Sequence, residues 1–224
     1  PNSKKLKPYV QYRIGKMFCY GLGTEQNYQK AFEWFERSAK QKNKFAQFSL
    51  ANLYYYGSGI EKDLSQAVLW YQRSSSQGQP YAAYSIAQMY RYGEYVTKDN
   101  DTAQRYYKQA LSGFLKIESD DMANDDLFYK LGQMFNLGLG TDSDVTKAIE
   151  YFRRSAEMNN KNGLFEYGKA LLTGEHIPQD TDSAVKLLEK AVKLKNSNAK
   201  RCLALEYISG EHLEQDFEKG IALL

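Results

Sequence analysis

Apolar and small residues recur along the chain at three- and four-residue spacing, in short blocks separated by glycine-containing turns. The block over residues 45–56 carries an apolar stripe with the period of an α-helix, formed by Ala46, Leu50, Leu53 and Tyr54. Similar blocks follow from end to end, and none approaches the roughly 18 uninterrupted apolar residues of a membrane span. The pattern therefore predicts an all-α protein of amphipathic helices.

The glycine turns return every 36 residues, except that a nine-residue insertion lengthens the interval between Gly93 and Gly138. A nucleotide-binding loop would normally occur once, between a strand and a helix, so a recurring turn favours helix termination over phosphate binding. Tyr95, His176 and His212 replace the second glycine of the turn in three copies, and we expect only the first to be sterically required everywhere. That first glycine is Gly21, Gly57, Gly93, Gly138, Gly174 or Gly210.

A second helix follows each turn, after an Asp or Asn that suits an N-cap: Asn27, Asp63, Asp99, Asp144, Asp180 and Asp216. One such helical pair cannot bury its apolar face alone, whereas stacked copies bury each other as an α/α solenoid. We predict one domain over 1–224, with repeats at about 9–44, 45–80, 81–118 followed by an insertion, 126–161, 162–197 and a partial copy at 198–224. Truncation of that last copy predicts a fragment of a longer chain.

The stretch AQFSLANLYYYGSGIEKDLSQAVLWYQRSSSQGQ resembles the Sel1-like repeat family, which is related to tetratricopeptide repeats. The matching positions are Leu50, Tyr54, Gly57, Gly59, Ile60, Asp63, Ala67, Trp70, Tyr71 and Gly78. Ala51 and Ala87 depart from the pattern, which has glycine there. The resemblance implies a right-handed superhelix of α-hairpins that acts as a scaffold or adaptor and has no catalytic residue. The stretches YRIGKMFCYGLGTEQNYQKAFEWFERSAK and EYISGEHLEQD also look like arrays fused behind relaxase domains of bacterial mobile elements, although no relaxase histidine triad or nicking tyrosine is present.

Charge is unevenly distributed, which raises nucleic acid as an alternative partner. Residues 1–112 contain 16 Lys and Arg against 8 Asp and Glu, and residues 113–224 contain 14 against 19. The isoelectric point of about 8.6 falls short of the basic signature of nucleic-acid-binding domains, and no nucleic-acid-binding motif is present. A partner protein is therefore favoured over DNA, and a structural spacer or self-association surface is the third hypothesis. Basic residues cluster at Lys4, Lys5, Lys7, Arg13 and Lys16.

Catalytic chemistry finds little support. Cys19 and Cys202 form no metal-binding spacing, and free, partly buried thiols favour a reducing, cytoplasmic location. His176 and His212 occupy the same turn position of successive copies, so we interpret them as turn residues. We expect no enzyme activity, cofactor, metal, membrane or small-molecule substrate. The acidic run at Glu118, Asp120, Asp121, Asp125 and Asp126 lacks calcium-loop spacing and is interpreted as a solvated loop.

Binding is better supported, because in related arrays the first helix of each repeat lines the concave side. A small residue marks the middle of that helix: Gly15, Ala51, Ala87, Gly132, Gly168 or Ala204. Residues two before, one after and four after this marker are predicted to share the inner face. They are Arg13, Lys16, Cys19; Ser49, Asn52, Tyr55; Ser85, Gln88, Arg91; Lys130, Gln133, Asn136; and Glu166, Lys169, Leu172.

These amides, rings and cations suit an extended or helical segment of a partner protein, with Asn52, Gln88 and Arg91 at the centre. Aromatic residues stand three positions before the marker and are assigned equally to core or to the binding face. They are Tyr12, Phe48, Tyr84, Tyr129 and Phe165.

Overall fold

The computed structural model describes residues 6–224, which form twelve α-helices and no strand. The predicted residues Lys4 and Lys5 lie outside the described part. The helices are α1 (Pro8–Tyr20), α2 (Tyr28–Lys40), α3 (Lys44–Tyr56), α4 (Leu64–Ser75), α5 (Pro80–Tyr92), α6 (Asn100–Ser119), α7 (Asp125–Asn136), α8 (Val145–Glu157), α9 (Lys161–Thr173), α10 (Thr181–Lys193), α11 (Ser197–Ser209) and α12 (Phe217–Ala222). Odd-numbered helices are called A helices below, and even-numbered ones B helices.

The chain divides into two compact units, Pro1–Gly113 and Phe114–Leu224, here called unit 1 and unit 2. In unit 1 the A helices are α1, α3 and α5, and in unit 2 they are α7, α9 and α11. Helices α1, α3, α7, α9 and α11 each pack against the B helix that follows, as expected for helical hairpins, and Tyr84 of α5 contacts Tyr107 of α6.

The predicted N-caps of the B helices are confirmed. Asn27 Oδ1 accepts the amide of Lys30 at 2.9 Å, and the Asp63 carboxylate accepts the amides of Ser65 and Gln66. The same bond recurs at the four remaining caps, Asp99, Asp144, Asp180 and Asp216. These bonds pair otherwise unsatisfied amides of the first helical turn, so they fix where each B helix begins.

Five of the six A helices end as predicted at the first glycine of the turn, which at Gly57 is left-handed with φ of 68°. Helix α7 ends one residue earlier, with Leu137 as its C-cap. The expectation that only this first glycine is required in every repeat is confirmed, because all six first glycines have positive φ, whereas the second position accepts Tyr95 and His176. Tyr95 and His176, at the position of the second glycine, also have φ of 65° and 66°. At Gly59 an added Cβ would lie 2.4 Å from Tyr28 Cβ, so this second glycine is required by close contact as well.

A buried serine connects the two helices of three hairpins. Ser38 Oγ donates to the carbonyl of Pro8 at 2.6 Å, and Ser74 Oγ donates to the carbonyl of Lys44 at 2.7 Å. In unit 2, Ser155 Oγ makes the same bond to Asp125 at 2.7 Å. The bond ties the end of a B helix to the beginning of its own A helix, so the hairpin geometry is alike in both units.

Each unit has its own apolar core. Large buried side chains in unit 1 include Phe35, Leu50 and Ile86. In unit 2 they include Leu164, Leu172, Leu188 and Leu203. Burial of this kind supplies most of the stability of stacked hairpins, whose isolated helices would be marginal.

The region predicted as an insertion is largely helical, because α6 continues to Ser119. Glu118 lies in this helix, where it forms an ion pair with Arg154 and accepts the Tyr151 hydroxyl at 2.8 Å. Asp125 and Asp126 begin α7. The solvated-loop interpretation was therefore wrong for these three residues and holds for Asp120 and Asp121, which are exposed.

Candidate functional site

One side of each A helix in unit 1 carries the same arrangement, an aromatic ring at each end and two polar residues between them. Positions i, i+4, i+7 and i+11 of an α-helix lie on one face, so the four residues form a stripe. We call it the A-helix stripe. It consists of Tyr9, Arg13, Lys16 and Tyr20 on α1; Phe45, Ser49, Asn52 and Tyr56 on α3; and Tyr81, Ser85, Gln88 and Tyr92 on α5.

The aromatic ends of the stripes are unusually open. Tyr20, Tyr56 and Tyr92 are 63%, 71% and 69% exposed, and Tyr9 is 53% exposed. Tyr20, Tyr56 and Tyr92 stand five positions after the marker and were missed in the sequence analysis, which counted residues at plus one and plus four. Their 36-residue spacing was the available signal.

Cations lie beside the exposed rings of unit 1. Lys16 Nζ is 5.6 Å from the ring centre of Tyr20, and the Arg91 guanidinium is 5.5 Å from that of Tyr92. Arg13 Nη1 lies 3.4 Å from the Tyr9 hydroxyl. Within residues 6–224, none of these three cations has a carboxylate within ion-pair distance. The half-buried Arg91 also hydrogen-bonds Tyr107 of α6, so Arg13 and Lys16 are the cations of this set without such a contact to a B helix.

The polar middle of the stripe is partly engaged by the protein itself. Asn52 Oδ1 accepts the hydroxyl of Tyr71 at 2.6 Å, which fixes the amide and turns its NH2 group into the remaining donor. Burial raises the pKa of Tyr71, so this hydroxyl stays protonated. Gln88 is exposed, and Ser49 and Ser85 are half-buried.

The residues predicted four after the marker do not behave alike. Tyr55 donates its hydroxyl to Glu94 at 2.7 Å, and this bond raises the pKa of Tyr55 to about 12. Cys19 and Arg91 are half-buried and Asn136 is exposed. Leu172 is fully buried in the core of unit 2, so its placement on the inner face was wrong. The plus-four position lies between the stripe and the core, and its side chain goes to whichever side its polarity favours.

Aromatic residues three before the marker pack mainly against B helices. Tyr12 and Phe48 lie 6.0 and 5.9 Å from Phe35 and Tyr71, measured between ring centres. Tyr84 is buried, and its ring centre is 5.5 Å from that of Tyr107. In unit 2 Tyr129 packs 6.0 Å from Phe152, and burial raises its pKa to about 12. These rings therefore pack between the A helices that carry the stripe and the B helices.

The stripes of unit 2 lack the aromatic ends. On α7 the ring at the first position is replaced by Asp126, which pairs with Lys130 at 2.9 Å. Gln133 Nε2 donates to the Tyr129 hydroxyl at 2.9 Å, and Lys169 on α9 is exposed. The equivalent residues are Asp126, Lys130, Gln133 and Leu137 on α7; Asn162, Glu166, Lys169 and Thr173 on α9; and Asn198, Cys202, Leu205 and Ser209 on α11.

Reactive chemistry is weakly represented in the described part of the chain. Burial raises the pKa of the Cys19 and Cys202 thiols, which disfavours the nucleophilic thiolate. Glu206, Glu211 and His212 are the donors that could hold a cation, because their ligand atoms lie within 4.8 Å of one another. His212 Nδ1 already contacts Glu206 Oε2 at 3.0 Å, so the histidine is part of an acidic pair rather than of a site shared with His176.

Comparison with known families accounts for these hairpins. The Sel1 repeat model matches residues 8–43, 44–79, 80–113, 129–160 and 162–196, and the chain belongs to the Sel1 repeat family. A comparison with curated proteins gave no match. Among the helices described, none combines the length and apolar character needed to cross a lipid bilayer.

Solved structures with similar folds agree with the family assignment. A Sel1 repeat protein from Oxalobacter formigenes is 25% identical, with a TM-score of 0.68 and coverage of 97% of this chain and 85% of that one. The protective antigen c5321 of uropathogenic Escherichia coli, described as having an SLR fold, is 23% identical, with a TM-score of 0.51 and coverage of 96% and 52%. YrrB, a TPR protein with an unusual peptide-binding site, is 20% identical, with a TM-score of 0.51 and coverage of 84% and 91%. The predicted all-α class of Sel1-like hairpins is confirmed.

Proposed function

We propose that this chain is a non-catalytic interaction module that binds a segment of a partner protein on the A-helix face of its repeats. Sel1 and TPR-like folds typically mediate protein–protein interaction. The observation that carries the proposal is the set of open tyrosines Tyr20, Tyr56 and Tyr92 beside amides and unpaired cations. Tyrosine and arginine are the residues that most often dominate binding energy at protein interfaces.

The geometry supports a bound segment on this face more than on the B helices of unit 1. On α2, Arg37 pairs with Glu33 and Lys40 with Glu36, whereas Lys30 lies over the Phe18 ring of α1. Exposed pairs of this kind contribute little energy and leave no unpaired charge. By contrast, Gln88 and the amide NH2 of Asn52 keep hydrogen-bonding capacity that a peptide backbone can use. The peptide-binding site described for YrrB, a protein of similar fold, is consistent with this proposal.

The test is to select peptides from a random displayed library against the full chain and to measure their affinity for N52A/Q88A/R91A. We expect the three changes together to weaken binding by at least about tenfold, because each removes a donor at the centre of the face. A matched triple on the B helices, E33A/K40A/K108A, should bind like the wild type. Helicity should be unchanged in both variants, whereas N52A/Q88A/R91A should melt at a lower temperature because the buried Tyr71 hydroxyl loses its acceptor, so affinities are compared well below both melting temperatures.

Selected peptides whose affinity is equal for the wild type and N52A/Q88A/R91A would contradict the proposed face. Complete failure to select any peptide would contradict the peptide-binding function itself.

A further inference from the structure

We propose that Glu206, Glu211 and His212 of unit 2 bind a divalent transition-metal cation, and that Zn²⁺ is the ion that suits them best. The site lies where α11 ends and the turn toward α12 begins. It is separate from the A-helix stripes of unit 1, so it stands whether or not a partner protein binds there. It also goes against the expectation, drawn from residue spacing alone, that the chain holds no metal.

The three side chains bring one ligand atom each into a small volume. These atoms, from two carboxylates and one imidazole, lie within 4.8 Å of one another. His212 Nδ1 is 3.0 Å from Glu206 Oε2. Two ligand atoms that bind Zn²⁺ at about 2.0–2.1 Å in a tetrahedron lie about 3.3 Å apart, so this pair is already close to that spacing. Closing the remaining distance to Glu211 takes a side-chain rotation at an exposed position.

The kinds of donor indicate which cations the site would take. Imidazole nitrogen suits Zn²⁺ and other late transition metals, whereas Ca²⁺ and Mg²⁺ prefer oxygen ligands throughout. One imidazole and two carboxylates give three protein ligands, and a water molecule can fill the fourth position of a zinc tetrahedron. Cys202 lies one turn before Glu206 on the same face of α11, but its sulfur is not part of the group. The ligand set is therefore one nitrogen and two carboxylate oxygens.

Negative charge at this point of unit 2 has no lysine or arginine partner. Within residues 6–224, neither Glu206 nor Glu211 forms an ion pair with such a cation, and Glu206 pairs with His212 instead. The side chains of Glu206 and His212 are only 15% and 21% exposed, so solvent screens their contact less than it screens the exposed pairs of α2. That contact is an ion pair only while the imidazole is protonated, whereas a bound cation would hold the carboxylate beside the neutral ring.

The preceding repeat provides an internal comparison. The same Gly-Glu-His turn occurs 36 residues earlier, but there Ala170 stands in the place of Glu206. His176 of that turn has a φ of 66° and lines a groove beside Asp142 and Asp144. In the described part of the chain, that groove does not bring three such donors together, whereas the turn after α11 does. The recurring turn alone does not make the site, and the additional carboxylate on α11 is what completes it.

A cation at this site would join α11 to the turn that follows it. The carboxylate of Glu206 belongs to α11, whereas the other two ligands belong to the turn before α12. A helix as short as the six residues of α12 is marginal by itself. Its contacts here include Lys219 Nζ, which lies 2.6 Å from the Tyr207 hydroxyl of α11. We therefore expect the bound cation to stabilise the α11–α12 hairpin rather than to support catalysis.

The test is calorimetric titration of the full chain with ZnCl2 after metals have been removed with a chelator. We expect one binding site, and at least about tenfold weaker binding in H212A and in E211Q, because each loses one ligand. E211Q changes an exposed residue and should retain the fold, which circular dichroism verifies. H176A is the matched control in the preceding repeat and should bind like the wild type. No binding by the wild type, or equal affinity in all four proteins, would overturn the proposal.

Further measurements distinguish this site from adventitious zinc binding. C202S should keep the wild-type affinity, and a loss as large as that in H212A would place the zinc at the cysteine instead. An excess of CaCl2 should not compete, and competition would contradict the imidazole ligand. Hydrogen exchange over residues 206–222 should slow on addition of zinc in the wild type but not in E211Q, because a ligand of the folded hairpin stabilises it. Protection confined to other regions would contradict a site that joins α11 to its turn.

Discussion

Helices α1 and α7 occupy the same place in their repeats, but the charged residues on their exposed faces differ in whether they are paired. On α1 the first two stripe residues are Tyr9 and Arg13, which leave a cation without a carboxylate. On α7 they are Asp126 and Lys130, which neutralise each other at 2.9 Å. The hairpins beneath are alike, down to the serine that joins each pair of helices. Scaffold and surface therefore vary independently in this fold, and on the A helices it is unit 1 that carries the exposed terminal rings Tyr20, Tyr56 and Tyr92.

Removing the exposed rings of unit 1 should have the largest effect. Y20S/Y56S/Y92S deletes one ring from each stripe, and we expect the affinity for selected peptides to fall by at least about 100-fold, because exposed tyrosines at an interface centre are dominant contributors. The measurement is a binding isotherm by calorimetry, with circular dichroism to verify the fold. The matched variant L137S/T173S in unit 2 should bind like the wild type, and a comparable loss there would remove the distinction between the units.

The shared scaffold should respond equally in both units. Gly15 and Gly132 lie against the rings of Phe35 and Phe152, and an added Cβ would be 2.5 Å from the nearest ring carbon in each. G15A and G132A should each lower the free energy of unfolding by about 1–3 kcal/mol through overpacking. Urea unfolding gives the measurement, and a large loss in only one variant would show that the hairpins are not equivalent.

Much of this scaffold was predictable, because period, caps and turn glycines are local signals. Asp63 and Gly57 mark helix ends whatever the neighbouring repeats contain. The residues of the proposed face were predicted only in part. The positions of Arg13, Lys16 and Gln88 on one side of their helices follow from helical periodicity. The orientation of Leu172 depends on its apolar side chain instead, and its placement was predicted wrongly. The backbone conformation of the second turn position could not be inferred from residue type, because Tyr95 and Gly59 both adopt the left-handed conformation there.

Transferring the aromatic ends to unit 2 should create a weak second site. In D126Y/L137Y/N162Y/T173Y, two stripes gain rings at both ends and Lys130 loses its ion-pair partner. We expect additional binding of the selected peptides, about tenfold weaker than at unit 1, because only two stripes are completed. Stoichiometry from calorimetry measures the effect. The matched quadruple serine variant should show no second site, and a second site there would contradict a role for the rings.

Acid titration should show a small difference between the units. Burial raises the pKa of Glu166 on α9, with Lys169 acting against the shift, whereas the equivalent residues of α3 and α5 are Ser49 and Ser85. A raised pKa means that the protonated form favours folding, so this contribution is present at low pH and is lost as the pH rises through the folded pKa. E166Q should therefore be more stable than the wild type at pH 7, and the difference should disappear at acid pH, where the carboxyl is protonated in both the folded and the unfolded chain. The measurement is the melting temperature of both proteins as a function of pH. A difference between E166Q and the wild type that does not change with pH would contradict the prediction.

The most direct test of the difference between the units is a map of where a library-selected peptide binds. Titration into the isotope-labelled full chain, followed by NMR, reports on every backbone amide separately. We predict shifts confined to α1, α3 and α5, strongest near Tyr20, Tyr56 and Tyr92. Shifts centred on α7 or α9, or spread along the B helices, would show that the peptide binds elsewhere.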